Sequence, residues 1–171
     1  MAIHRAWIAV LSLIVATAGA VGGEVEDGRF GPEGQRRIVE LTQWLEANPL
    51  TEDKSKAQEV LTWWIENPDL VLNWCAGILT DGKNNKIQPA VVSQGLFGAG
   101  ACLIQHPEMA DDEQAIHLAG VKSALTLYKT AVAQNKKMRD KFYDKLLQRL
   151  DAGTLESWVE GKVRECKESS E

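Results

Sequence analysis

Five prolines, at positions 32, 49, 68, 89 and 107, punctuate the chain at intervals of 17, 19, 21 and 18 residues. Proline fixes φ and lacks an N–H, so it is accepted in the first turn of a helix and breaks a helix interior. Intervals of that size leave room for short helices, each followed by a turn. Three junctions look alike: Trp44-Leu45-Glu46-Ala47-Asn48-Pro49, Trp64-Ile65-Glu66-Asn67-Pro68 and Leu103-Ile104-Gln105-His106-Pro107. Helices commonly end this way, and no repeat consensus covers a full unit.

The apolar pattern between the prolines has the helical period. Ile38, Leu41 and Leu45 recur at 3.6 residues, as do Ala57, Val60, Leu61 and Trp64. Residues 70–79 carry no charge and are apolar on nearly every side, which predicts a central helix over 68–79. Residues 80–88, TDGKNNKIQ, form a polar loop with turn chemistry at Asp81-Gly82. An apolar helix resumes over 90–105. Beyond Pro107, Asp111 and Asp112 suit a helix start, and Ala115 to Val132 carry a long apolar pattern. Met138, Phe142, Leu146, Leu147 and Leu150 make a further stripe, stopped by Gly153. Thr154 is the candidate cap of a last helix striped by Leu155, Trp158, Val159, Val163 and Cys166. No alternating segment is long enough for a strand. The expected fold is all-α, a single-domain bundle of about seven helices over residues 32–168.

The first twenty residues have the build of a secretory signal peptide. His4 and Arg5 precede an uncharged, mostly apolar core from Ala6 to Val15, and small-x-small sites follow at Ala16-Thr17-Ala18 and Ala18-Gly19-Ala20. The apolar stretch is short for a membrane span. Cleavage after residue 20 leaves 171 − 20 = 151 residues, with 21–31 as a flexible lead-in. The expected location is periplasmic or extracellular, with no stable membrane insertion of the mature chain. Loss of Arg5 leaves 18 basic and 24 acidic residues, a net charge of −6. That balance argues against nucleic acid as a partner. The basic residues from Lys136 to Arg149 alternate with Asp140 and Asp144 and read as a solvated helix face.

Gly95, Gly98, Ala99 and Cys102 lie at i, i+3, i+4 and i+7, one narrow face of small side chains. Glycine inside a helix costs about 1 kcal/mol relative to alanine, so a bulky neighbour should come close there. Trp74 or Leu70, from the helix expected before it, should pack on Gly95 and Gly98. The three cysteines, Cys75, Cys102 and Cys166, allow one bridge and leave one thiol. Cys75 and Cys102 are the candidate pair. In a strict antiparallel hairpin they stand about 14 Å apart along the axis, beyond the roughly 7 Å that a disulfide spans, so the pairing requires a shift of register. Cys166 lies on an apolar stripe, where a buried thiol is the alternative.

Motifs for chemistry are missing. Cys102 and His106 share a helix face, but two ligands do not close a tetrahedral metal site. Glu113 and His117, four apart, read as a surface pair, and the Glu-x-x-His spacing of di-iron bundles is absent. No nucleophile elbow, P-loop or C-x-x-C occurs. No metal, cofactor or catalytic residue is implied. Paired catalytic carboxylates carry no local signature and stay open. Adjacent helix positions diverge by about 100°, so Trp63 and Trp64 cannot both face one core. Trp64 belongs to the apolar stripe. Trp63, aligned with Lys56 and Glu59, is the partly exposed candidate for binding.

Cys75-Ala76-Gly77, Asp81, Gln94, His106-Pro107-Glu108 and Ala124-Leu125 resemble the small periplasmic helical immunity proteins of bacteria. The resemblance covers about fifty residues. It implies a protein that neutralises a cell-wall-degrading effector from a neighbouring bacterium. The family also expects a second cysteine after the helix ending near Ala124-Leu125, where this chain has Leu127-Tyr128-Lys129. The expected function is thus a non-catalytic protein that binds an unidentified protein partner through an exposed apolar patch near Trp63. The alternative is a carrier of a small apolar ligand, with a cavity between the helices expected over 68–79, 90–105 and 115–132.

Overall fold

The computed structural model describes residues 28–81 and 85–169. The expected signal peptide and most of the lead-in to residue 31 lie outside the described residues. The described residues form six α-helices and three short 3-10 turns: α1 Pro32–Ala47, α2 Ser55–Glu66, α3 Gln88–Gln105, α4 Glu113–Gln134, α5 Lys141–Asp151 and α6 Leu155–Glu168, with 3-10 turns at Ala76–Leu79, Pro107–Met109 and Lys136–Met138. The bundle is all-helical, as the apolar periodicity predicts. Among the described residues no helix is long and apolar enough to cross a membrane.

Local chemistry sets most of the helix ends. Pro32 and Pro89 sit in the first turns of α1 and α3. Asn85 accepts hydrogen bonds from the N–H groups of Ile87 and Gln88 and so closes the start of α3. Asp112 caps α4 through the Ala115 N–H at 2.9 Å, and Asp140 caps α5 through the Phe142 N–H at 2.8 Å. Gly153 stops α5 at φ +69°, with Thr154 N–H donating to Arg149 O and Gly153 N–H to Leu150 O. That is a Schellman ending, which needs the left-handed conformation glycine adopts freely. Thr154 starts α6 but makes no side-chain cap; its hydroxyl lies against Arg149 O instead.

The helix expected over 68–79 is the main departure. Pro68 confines Asn67 to extended backbone, at φ −81° and ψ 112°, and Asn67 Oδ1 accepts the Asp69 N–H. Residues 70–75 then run without turn or bend as far as the 3-10 turn. The central element is α3 instead, buried along most of its length, and α4 is its most extensive partner. One core gathers around α3–α6, a second joins α1 and α2 to α3 through Ile38, Leu41, Val60, Trp63 and Phe97, and a small third joins the ends of α3 and α4.

The two central helices meet over small residues at i, i+3 on both sides: Gly95 and Gly98 on α3, Gly120 and Ser123 on α4. A Cβ on Gly98 would collide with the Ser123 side chain, and one on Gly120 would lie 2.5 Å from Gly95 O and 2.7 Å from the Trp74 ring. A Cβ on Gly95 would lie 2.7 Å from the same ring. Trp74 therefore packs on Gly95 as the small-residue stripe predicts, while Gly98 is covered by Ser123. Gly100, outside that stripe, lies under the Trp64 indole.

Backbone atoms cannot withdraw as a side-chain tip can. Gly120→Ala should therefore lose about 1–3 kcal/mol of stability by overpacking, despite its better helix propensity. Gly161 on α6 has open space where its Cβ would stand. Gly161→Ala should gain about 0.5–1 kcal/mol. Urea denaturation midpoints of the two variants check both signs.

Candidate functional site

The tryptophans of α2 exchange the roles expected for them. Trp63 is only 3% exposed. Its Nε1–H donates to Arg29 O at 2.7 Å, and its ring meets Phe30 at 5.8 Å and Trp64 edge-on at 5.1 Å. The turn over residues 28–31, expected to belong to a flexible lead-in, folds across the indole, and the Arg29–Glu66 ion pair ties that turn to the end of α2. Trp63 is thus a core residue and not an exposed contact. Trp64 is half-buried on the flank that faces α3, its indole filling the space that Gly100 leaves.

The wet face of α2 carries other apolar groups. Leu61 is 42% and Ile65 75% exposed, and at i, i+4 they form one ridge. Beyond the end of the helix, Val71 is 81% exposed. In the segment that holds it, burial alternates: Leu70, Leu72 and Trp74 pack against the cores, while Val71 and Asn73 face solvent. A period of two is that of a strand with one face covered.

Three contacts fix the far end of this segment. The Trp74 indole stacks on the His117 imidazole, 5.0 Å between centroids and 13° between planes. His117 Nε2 accepts the Cys75 N–H at 3.0 Å, and Nδ1–H donates to Glu113 O at 2.7 Å. These partners assign the neutral Nδ1–H tautomer. His117 is 3% exposed, so the expected surface pair with Glu113 does not form; the Glu113 carboxylate pairs with Lys167 at 2.6 Å. The third contact is a disulfide between Cys75 and Cys166, with Cα atoms 6.4 Å apart. Cys102 is the free thiol. Without a helix over 68–79 the hairpin that would relate Cys75 to Cys102 does not exist. Instead α6 packs against α4 and the Ala76–Leu79 turn, which carries Cys166 to Cys75. Burial, and then the Glu108 carboxylate, push the Cys102 thiol above its ordinary value, so it is a poor nucleophile.

Clefts open on both sides of the bridge. One of about 470 Å³ is lined by Asn73, Trp74, His117, Val163 and the Glu113–Lys167 pair; another of about 550 Å³ is lined by Ile78, Phe142, Trp158 and Lys162, among others. A third groove, of about 350 Å³, lies between α1, α3 and α4. There Gln94 Nε2 donates to Thr42 O at 3.1 Å and to Ser123 Oγ at 2.9 Å, and the Ser123 hydroxyl donates to Glu46. Burial raises the Glu46 carboxyl above its ordinary value, and the hydrogen bonds only partly offset this. Glu46 is the one acid in the lining of that groove, so the facing pair of carboxylates that glycoside hydrolysis needs is not assembled there. His106 ends α3, as expected, with Nδ1 3.2 Å from Glu108. Among the described residues no group of three or more His, Cys, Asp or Glu side chains is placed to hold a metal. Beside the α3–α4 seam the Trp74 ring lies against Gly95 and Gly120.

No protein family, curated protein or solved structure matches this chain.

Two outcomes follow from this geometry. Denatured, unreduced protein should carry one reactive thiol per chain, and peptide mapping should place it at Cys102. A bridge across 91 residues restrains the unfolded chain by about 4–5 kcal/mol in the chain-entropy treatment, so Cys75→Ser with Cys166→Ser should lower stability by up to that amount. The second outcome concerns Glu46. Its raised value means the folded state holds the proton more tightly than the unfolded chain. The buried carboxylate therefore subtracts stability at neutral pH, and this is relieved as pH falls through the raised value towards the ordinary 4.5. Glu46→Gln should be the more stable protein at pH 7, with the gain gone at about pH 4. An equal gain at both pH values in chemical denaturation would show that charge is not the cause.

Proposed function

We propose that this chain is an exported, non-catalytic protein-binding module of the inhibitor or immunity type, which docks its partner through the outer face of α2 and the segment after it. The observation that carries this reading is the exposure of Leu61, Ile65 and Val71 in a bundle that covers most of its other large apolar side chains. Two of the three form a ridge on one helix, and the third stands in a segment that a stack, a hydrogen bond and a disulfide hold in place. An exposed apolar side chain on a pre-organised surface gains burial on docking at little ordering cost. The resemblance of Cys75-Ala76-Gly77 and His106-Pro107-Glu108 to periplasmic immunity proteins points to an effector protein as partner. The disulfide fits the oxidising compartment to which the signal-peptide pattern directs the chain.

Paired affinity capture tests the reading. Mature wild-type protein and Ile65→Asp are presented to the same periplasmic extract, with Leu150→Asp, at an exposed apolar position on α5, as control. Loss of a central apolar anchor costs about 2 kcal/mol or more, so the partner retained by wild type and control should be depleted roughly thirtyfold or more with Ile65→Asp. Recovery of the same proteins by all three would overturn the proposal.

A further inference from the structure

We propose that Leu70–Trp74 is a receptor edge for strand addition: the partner supplies an extended polypeptide segment that pairs with this backbone. The inference rests on the reading that this face docks protein, and it adds the mode of docking and the kind of partner.

Four observations carry it. First, the segment is free of turns and bends among described residues that are mostly helical. Second, its burial alternates, with Leu70, Leu72 and Trp74 inward and Val71 and Asn73 outward, so one strand face is covered and the other is wet. Third, the backbone bonds of the region stop on either side of it. Asp69 N–H is taken by Asn67 Oδ1, Cys75 N–H by His117 Nε2, and Cys75 O by Ile78 N–H. Between them, no backbone group of Leu70–Trp74 has a hydrogen-bond partner among the described residues. Main-chain donors and acceptors are strong groups that nearly always find partners, and a row of them along an extended segment is a template for another strand. Fourth, there is room. Asn73 and Trp74 border the cleft of about 470 Å³, which the Glu113–Lys167 pair also lines.

These features select the occupant. Successive N–H groups of a strand point to opposite edges, so an incoming strand would take its bonds from either 71 and 73 or 70, 72 and 74. The wet face of the segment presents Val71, and the preceding helix exposes Leu61 and Ile65. A matching segment is therefore extended, free of proline where it pairs, and apolar at alternate positions. This is the chemistry of β-augmentation, where main-chain bonds give affinity and alternate side chains give specificity. A helical ligand would leave the free backbone groups unanswered.

The test uses linear peptides selected on the full mature protein from a random display library. Selected peptides should carry apolar residues at alternate positions. On binding, amide hydrogen exchange should slow at every other residue of 70–74, and isotope-edited spectra should show the bound peptide as extended. Asn73→Pro removes one donor at a position whose N–H makes no bond in the free protein, and proline's demand for extended backbone at residue 72 suits the segment. If the pairing edge is 71 and 73, this variant should bind roughly tenfold or more weakly. Asn73→Ala should bind within about a factor of two of wild type. Thermal melts confirm that both variants are folded. If protection falls on 70, 72 and 74, the opposite edge is used, Asn73→Pro is neutral, and strand addition stands. Peptides whose binding falls with Ile65→Asp but which protect no amide of 70–74 would overturn strand addition and leave the docking face intact. Failure to select any peptide, or peptides that protect no amide of 70–74 and are indifferent to Ile65→Asp, would overturn strand addition; in the second case the docking reading would fall with it.

Discussion

The fold turns on how closely α3 and α4 approach. Gly95, Gly98, Gly120 and Ser123 bring the two backbones near enough that a single methyl group at Gly120 would reach a carbonyl oxygen of the opposite helix. Such a seam loses side-chain burial and helix propensity at each glycine, about 1 kcal/mol apiece relative to alanine. It regains this only if something large fills the wedge beside it. Trp74 does so, its ring against Gly95 and Gly120 and stacked on His117. Since the ring must enter from outside the helix pair, the chain that delivers it must lie across the seam. A helix over 68–79 would compete for that space. The extended path of Leu70–Trp74, the outward turn of Val71 and the position of Cys75 all follow from the wedge.

Much of this was legible in the sequence, and the failures have physical causes. The stripe of small residues on α3 announced a bulky neighbour, and Trp74 was within reach of it. The reciprocal glycine on α4 carried no signal, because Gly120 stands alone in a long helical pattern. Residues 70–79 misled because a short apolar run has no visible period: Leu70, Leu72 and Trp74 are inward and Val71 outward, but all four are apolar, and only Asn73 marks the alternation. The stripe of α2 alone puts Trp64 in the core and Trp63 on the flank. That stripe is correct to within one position; the turn at 28–31 decides which tryptophan is covered, and nothing in the pattern of α2 foretells it. The spacing of Glu113 and His117 misplaces the imidazole for a similar reason. Its neighbour at i−4 offers a backbone carbonyl and not a carboxylate, and its other partner is an N–H 42 residues away. The disulfide joins residues 91 apart, so only the complete path of α6 could select Cys166 over Cys102.

The polar groups sealed inside the bundle serve alignment more than adhesion. Gln94 is 1% exposed and reaches two helices at once, Thr42 O on α1 and Ser123 Oγ on α4. A buried amide is tolerable only when such partners are in place, so this one fixes the relative register of α1, α3 and α4. Glu46 closes the chain of bonds at the groove edge, where part of its charge is still hydrated. His117 acts in the same way at the other end of the seam. Its two nitrogens are both engaged by backbone groups, one donating and one accepting, which leaves the ring no freedom to turn.

An unpaired edge is a liability in any folded protein, since it can recruit the wrong strand as readily as the right one. This one is limited in three ways. Pro68 cannot donate and ends the edge on one side, and the Ala76–Leu79 turn ends it on the other, so only five residues remain. Asn73 places a polar group on the wet face between the apolar ones. The disulfide and the His117 bond hold the edge in a single shape, so a partner must fit the edge as it stands. The same restraints that discourage indiscriminate pairing lower the ordering cost for a segment that fits. A short, rigid edge therefore yields little affinity from backbone bonds alone, and needs Leu61, Ile65 and Val71 beside it to make the contact both tight and selective. That is a physical reason for an apolar ridge to stand in water on the helix that leads into this segment.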